Sequence, residues 1–376
     1  MKKILLIFGT RPEAIKMISI IKELKKNKKF FNFKICVTGQ HKKMLKQVLD
    51  FFEIKPHFNI NVMQKDQSLE SLTSKILKRT SKIIKRTKPD LVLVHGDTTS
   101  TLATSLACYY NKTKVAHVEA GLRTGNIYSP WPEEINRKLT AQISEINFSP
   151  TLISKKNLIS EGIDKKKIFI TGNTVIDALL LAKDKIIKSQ SIKKNLKKKF
   201  SFLDDKKKLI LVTGHRRENF GNDFNNIFKA IKYIALNNQD INIIYPTHLN
   251  PKVLLPAKKI LGKISNVFLV EPLDYISFIY LMNKSYLIIS DSGGVQEEAP
   301  SLGVPVLVTR KNTERPEALN VGTAKLVGTN PNIIIRNVNE LLENKKIYRK
   351  MTKSHNPYGN GYAAKKIIHY LKKIKF

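Results

Sequence analysis

The chain has 376 residues, 42% of them hydrophobic, which is long enough for two domains and too apolar for wholesale disorder. It carries 67 Lys and Arg against 30 Asp and Glu, a formal charge of +37, with only two cysteines, Cys36 and Cys108. No run reaches the ~18 apolar residues of a membrane span, and two cysteines make neither a disulfide framework nor a metal site.

Short apolar strands alternate with amphipathic helices along the chain. The opening KILLIF is expected to be fold, not a leader, and leads into a helix at PEAIKMISIIKELKK. FKICVTG, DLVLVHGD, KVAHVEAG, INFSP and KIFITG read as further strands, with a long helix at SLESLTSKILKRTSKIIKR. A lysine-rich stretch at about 185–208 reads as a linker, after which the pattern restarts. LILVTG, INIIYPTH, VFLVEP, YLIISDSGG and VPVLVT are the strands of a second block, and YAAKKIIHYLKKIKF is a last helix. Continuous apolar strands between helices predict parallel sheets covered on both faces, and two such blocks predict two Rossmann-like, doubly wound α/β domains. The expected boundaries are 1–185, 186–360 and a terminal helix, 361–376, folded back on the first domain.

The charge admits two explanations. A nucleic-acid or acidic-membrane surface is one. The lysines are spread over the chain, however, without the aromatic interleaving of a single-strand-binding face. Compositional drift from AT-rich coding accounts for them better, so no specific nucleic acid and no membrane insertion are expected. A cytoplasmic, reducing location is expected.

Ligands of open parallel sheets sit beyond the carboxyl ends of the strands, so the turns there carry the functional signal. In FGTRPEAIKM, Thr10 and Glu13 have capping-box spacing, while Arg11 and Lys16 suit a phosphate at a helix N-terminus. There is no GxGxxG and no Walker sequence at this turn. Asp97 in VHGDTTST, Glu119 in HVEAGLRTGN and Glu133 and Glu134 in SPWPEEINRKLT bring carboxylates to one edge. Carboxylates brought together raise one another's pKa, which suits proton transfer; a salt-bridge network explains the same residues. In the second block, TGHRREN sets His215 beside two guanidinium groups, Arg216 and Arg217, which asks for an anion. Ser292, Gly293 and Gly294 sit between strand and helix, where backbone N–H groups can approach a pyrophosphate, with Glu298 four residues on and Arg315 after the next strand.

FGTRPEAIKM, GDTTST, HVEAGLRTGN, PWPEEINR, TGNTVIDAL, TGHRREN, YPTHLNP, DSGGVQEEAPSLGVPVLV, NTERPEAL and NPYGNGYAAKKI, in this order, resemble the non-hydrolysing UDP-N-acetylglucosamine 2-epimerases. The resemblance implies a GT-B architecture with a UDP-sugar in the cleft between domains, usually in a homodimer. It implies interconversion of UDP-GlcNAc and UDP-ManNAc by elimination and re-addition of UDP, without a cofactor or metal, for surface polysaccharide synthesis.

Carried onto this sequence, Asp97, Glu119 and Glu133 become the acid/base carboxylates, and His215 a donor to departing UDP. Arg11, Ser292, Gly293 and Gly294 would hold the diphosphate, Glu298 the ribose and Phe278 the uracil. Lys16 and Arg315 would meet the charge developing on UDP. A second, activating UDP-GlcNAc would match Gln40, Lys43, Asp66, Glu134, Arg216 and His248. Lys43 stands where the family usually has Gln and Asp66 where it has Arg, so activation is expected to be weakened or altered. A modified UDP-2-acetamido sugar, a GT-B glycosyltransferase and a nucleic-acid binder are the alternatives. The carboxylate cluster argues against the second, and the scattered lysines against the third.

Overall fold

The computed structural model describes residues 1–39, 42–64, 67–313, 315–353 and 355–374; the side chains of residues 42–44 and 217 are likewise not described. Gln40 and Asp66, and the side chains of Lys43 and Arg217, therefore lie outside the described residues.

The chain divides into two compact units: Met1–Ala178 with Tyr358–Phe376, and Leu179–Pro357. The first unit contains β1 (Lys2–Phe8), β2 (Phe31–Val37), β3 (Phe58–Asn59), β4 (Leu91–His95), β5 (Lys114–Val118), β6 (Ile146–Ser149) and β7 (Ile168–Ile170). They form one sheet in the order β3-β2-β1-β4-β5-β6-β7, every pairing parallel. The second contains β8 (Lys208–Thr213), β9 (Ile241–Pro246), β10 (Val267–Val270), β11 (Leu287–Ser290), β12 (Val306–Val308) and β13 (Ala324–Leu326), ordered β10-β9-β8-β11-β12-β13 and again parallel.

The strands are apolar because helices cover both faces. All five residues of β4 are buried, as are all four of β11. In the second unit, Phe224, Ile227, Phe228 and Ile231 of the helix Asn222–Asn237 pack with Ile243, Tyr245 and Ile289 of the sheet. Each sheet reverses its winding once, between β1 and β4 and between β8 and β11. At such a switch point the two neighbouring turns diverge and leave a crevice. In the first unit those turns are Gly9–Glu13 and Gly96–Thr99; in the second they are Gly214–Arg217 and Asp291–Gly294.

The lysine-rich stretch read as a linker is largely helical. The helix Gln190–Lys199 forms within it, with Leu196 and the following Phe200 buried at i,i+4 spacing. The final helix, Ala363–Lys373, packs against the helix Arg11–Lys26 of the first unit. Asp177 anchors its start by accepting the N–H groups of Ala363 and Ala364 at 3.2 and 2.8 Å. No described helix is long and apolar enough to cross a membrane.

Candidate functional site

The first crevice is a cavity of about 390 Å³ lined by Thr10, Glu13, Lys16, His95, Asp97, Glu119, Glu133 and Asn136, among others. It gathers the three carboxylates of separate turns, Asp97, Glu119 and Glu133, with one lysine. The helix Arg11–Lys26 opens with a complete capping box: the Thr10 hydroxyl accepts the Glu13 N–H, and the Glu13 carboxylate accepts the Thr10 N–H at 2.6 Å. Glu13 does more than cap. Its carboxylate also accepts the Gly9 N–H at 3.0 Å and the hydroxyls of Thr98 and Thr101 at 2.7 and 3.0 Å, tying the turns after β1 and β4 together. Burial raises its pKa against these bonds, which lower it. Gly9 is required by this packing, since a Cβ there would lie 2.0 Å from the Thr38 hydroxyl.

Glu119 follows β5 with φ +66°, a left-handed conformation that costs a non-glycine residue energy and recurs where geometry serves function. Its Oε2 pairs with Lys16 Nζ and accepts the Asn173 amide at 2.7 Å. Asp97 pairs with Arg137, which also donates to Glu134 at 3.1 Å. The Asn136 amide holds the Asp97 carbonyl at 2.9 Å. Glu134 is fully buried, and its carboxylate accepts the Thr124 and Gly125 N–H groups at 3.1–3.2 Å. Glu133, one residue earlier on the helix Glu133–Ile143, is half-buried and lines the cavity. The ion-pair network and the carboxylate cluster thus share Asp97 and Glu119, each paired with a cation. Arg11 is half-buried at the first position of its helix, next to the Thr10 cap.

His95, which lines this cavity, and His117 on the neighbouring strand are both buried, and burial favours the neutral form of each. His95 closes β4, and burial pushes its imidazole down to about 3. His117 on β5 is pushed down to about 4 by burial, against its bond from Nε2 to the Gly96 carbonyl at 2.7 Å. A histidine whose folded pKa lies below its unfolded value, near 6.5, binds fewer protons when folded. Each therefore contributes stability above pH ~6.5 that is lost as pH falls, about 1.4 kcal/mol per pH unit. Asp177, raised to about 6 by burial, works in the opposite direction between its folded value and 3.8. Expected in an NMR titration is that the ring signals of His95 and His117 stay fixed from pH 8 to 5. Movement centred near 6.5 would show that burial does not hold them neutral.

In the second unit, Asp291 organises the turn after β8. It is completely buried and accepts the N–H groups of His215 and Arg216, both at 2.9 Å, and the Asn219 amide at 3.3 Å. His215 Nδ1 lies 3.3 Å from its other oxygen. Burial lowers the His215 pKa first, and Asp291 opposes that. The half-exposed imidazole is thereby oriented with its Nε2 edge away from the aspartate. His248, exposed after β9, accepts the Asn250 N–H at 3.1 Å.

Ser292 is the N-cap of the short helix Gly293–Glu298 and makes no side-chain capping bond. A Cβ on Gly294 would meet nothing closer than 3.8 Å, so the fold itself does not ask for glycine there. Glu298 is buried. Arg315 pairs with buried Glu297, and Arg310 donates to Glu218 at 2.6 Å. Phe278 lies half-buried on the helix Tyr275–Lys284. Sequence reasoning did not single out Asn173, Arg137, Asp291 or His95 as site residues. Asn173 and Asp291 lie inside quoted motifs, and polar residues straight after buried strands were the available signal.

The family model described as UDP-N-acetylglucosamine 2-epimerase matches residues 22–372. The chain belongs to the UDP-N-acetylglucosamine 2-epimerase family. A UDP-N-acetylglucosamine 2-epimerase of Campylobacter jejuni is 53% identical over 377 residues, covering 100% of this chain and 98% of that protein. The Neisseria meningitidis UDP-GlcNAc 2-epimerase, solved bound to UDP-GlcNAc, superposes with a TM-score of 0.92 at 50% identity, over 99% of this chain and 100% of that one. The Methanocaldococcus jannaschii enzyme, solved with UDP-GlcNAc and UDP, gives 0.81 at 36% identity, over 99% and 100%. The two parallel-sheet α/β domains are of the GT-B type found in this 2-epimerase family. Lys16, Asp97, Glu119 and Glu133 line one cavity in this family member, whereas His215, Phe278, Ser292, Gly293, Gly294, Glu298 and Arg315 belong to the other unit.

Proposed function

We propose that this family member interconverts UDP-GlcNAc and UDP-ManNAc. The observation that carries the reading is the cavity of the first unit, where Asp97, Glu119 and Glu133 converge with Lys16, beside the capping carboxylate of Glu13, at a sheet switch point. The C2 proton of the sugar has no adjacent carbonyl to acidify it, so elimination is the accessible route. One carboxylate removes the C2 proton, the C1–O bond breaks, and its electron pair leaves with UDP, giving 2-acetamidoglucal. Re-addition of UDP at C1 and return of a proton to the other face of C2 complete the inversion. Asp97, Glu119 and Glu133 are the groups in reach for the two proton transfers. Lys16 counters negative charge near Glu119, and charge stabilisation in a closed site is the large term.

On the second unit, the Ser292–Gly294 backbone is assigned to the diphosphate. Glu298 is assigned to the ribose, Phe278 to the uracil, and Arg315 to charge on departing UDP. His215, oriented by Asp291, donates a hydrogen bond or proton to that UDP. Because nothing in the fold fills the space beside Gly294, the missing side chain there makes room for the ligand. Gly294→Ala is expected to weaken UDP binding about tenfold or more with an unchanged melting midpoint, by calorimetry and thermal denaturation. Equal affinity would remove the diphosphate from this turn.

A homodimer is part of the proposal. Ile135 and Leu139, at i,i+4 on the helix Glu133–Ile143, and Tyr109 and Tyr110 at the end of the helix Thr99–Tyr110, are exposed. The two free, buried thiols suit a reducing compartment, the cytoplasm. Incubation of the purified chain with UDP-GlcNAc tests the reading: UDP-ManNAc should accumulate to a fixed ratio from either side. Turnover of only a modified UDP-2-acetamido sugar would keep the chemistry and change the substrate.

A further inference from the structure

We propose that His95 is a positioning residue for Glu119, its Nε2 accepting a hydrogen bond from the Glu119 carboxyl when that group holds the substrate's proton. The inference rests on the reading of Glu119 as an acid/base carboxylate.

His95 is 2% exposed, at the end of β4 and on the wall of the carboxylate cavity. Its Nε2 is buried without a partner among the described residues. With the proton of the neutral ring on Nδ1, Nε2 is an acceptor with no donor. Buried polar atoms without partners are rare, and each asks for an explanation.

Glu119 supplies one. It lines the same cavity as His95, and of the charges acting on that ring it acts most strongly. Its Oε1 lies on the side of Gly96, the residue after His95: a Cβ on Gly96 would be 3.8 Å from that oxygen. Its Oε2 is engaged by Lys16 and Asn173. The strained backbone of Glu119, φ +66°, holds the carboxylate in this place. A lone pair repels an ionised carboxylate and attracts a carboxylic acid O–H. His95 therefore favours the acid form of Glu119, while Lys16 favours the carboxylate. The other charged residues that line the cavity, among those described, are Glu13 on the helix of Lys16, Asp97 after β4, and Glu133. Asp97 is tied to Arg137 and Glu13 to the capping network, so neither takes this proton from Glu119 without breaking its own bonds. Balanced between a cation and a neutral acceptor, Glu119 can take a proton and give it back.

The test compares His95→Phe, which keeps a flat buried ring without an acceptor, with His95→Gln, whose Oε1 falls near the Nε2 position. The readouts are the pH profile of kcat/KM for C2 exchange and a carbon-13 titration of the Glu119 carboxyl, assigned with Glu119→Gln. In His95→Phe the acidic limb is expected about one pH unit lower and turnover about tenfold slower. His95→Gln should restore both. The carboxyl itself should titrate lower in His95→Phe than in the parent. If the Phe variant does not fold, His95→Leu takes its place. A folded Phe or Leu variant with the parent's profile and titration overturns the proposal, as does a Gln variant shifted as far as Phe. A parent that exchanges no C2 proton would instead strike the proposed function, and the carboxyl titration would still decide whether His95 acts on Glu119.

Discussion

Replacing Glu119 with Gln is expected to slow C2 proton exchange about 10²- to 10⁴-fold while leaving UDP binding intact. The substitution keeps the size of the side chain and its hydrogen bond from Asn173, and removes the charge that pairs with Lys16. If Glu119 only neutralised Lys16, the loss would fall on the melting midpoint and exchange would continue. Because Glu119 has a strained backbone and sits at the cavity wall, the effect should fall on exchange. Glutamine at Glu133 and asparagine at Asp97 rank the three carboxylates in the same assay. Asp97→Asn also loosens Arg137, which bridges to buried Glu134 and through it to the loop at Thr124 and Gly125. Some of its cost should therefore appear as stability.

The second large effect is expected at Asp291. This buried carboxylate receives two backbone N–H groups, an asparagine amide and the His215 ring. Removing it leaves several buried donors unpaired, each worth about 1–3 kcal/mol. Asp291→Ala should lower the melting midpoint of the protein by several degrees and weaken UDP binding at least tenfold, because the turn carrying His215 and Arg216 loses its anchor. His215→Ala is the matching control. It removes only the half-exposed imidazole, so it should slow turnover about 10²-fold and leave the melting midpoint unchanged. If Asp291→Ala melts and binds like the parent, the turn is held by other contacts and Asp291 does not position His215.

Much of this was legible before the fold was seen, because strands buried on both faces of a parallel sheet must be nearly continuous in apolar residues. DLVLVHGD and YLIISDSGG announce themselves in that way. The turns after them were legible because an acid or a pair of glycines directly behind such a run has no packing reason to be there. β3 and β13 left no such signal: they are edge strands of two and three residues, and Lys325 in β13 is exposed. The stretch around 190–199 was hidden by its lysines, since only Ile192, Leu196 and Phe200 mark the helix's inner face, and just the last two are fully buried. Asn173 and Asp291 were not assigned because their roles come from partners 54 and 76 residues away in sequence. No local period or spacing encodes such a contact. His95 was not assigned because it closes the apolar run of β4 and nothing in the local sequence marks what its ring faces.

The proposed chemistry is movement of the proton at C2 of a UDP-linked 2-acetamido sugar. Proton NMR of UDP-GlcNAc incubated with the protein in deuterated water tests it directly. The predicted result is UDP-ManNAc carrying deuterium at C2, with deuterium also entering C2 of the UDP-GlcNAc that remains. Formation of UDP-ManNAc that keeps its original C2 proton would contradict proton transfer to solvent-exchanging carboxylates. The assignment of Asp97, Glu119 and Glu133 as the acid/base groups would then fall with it.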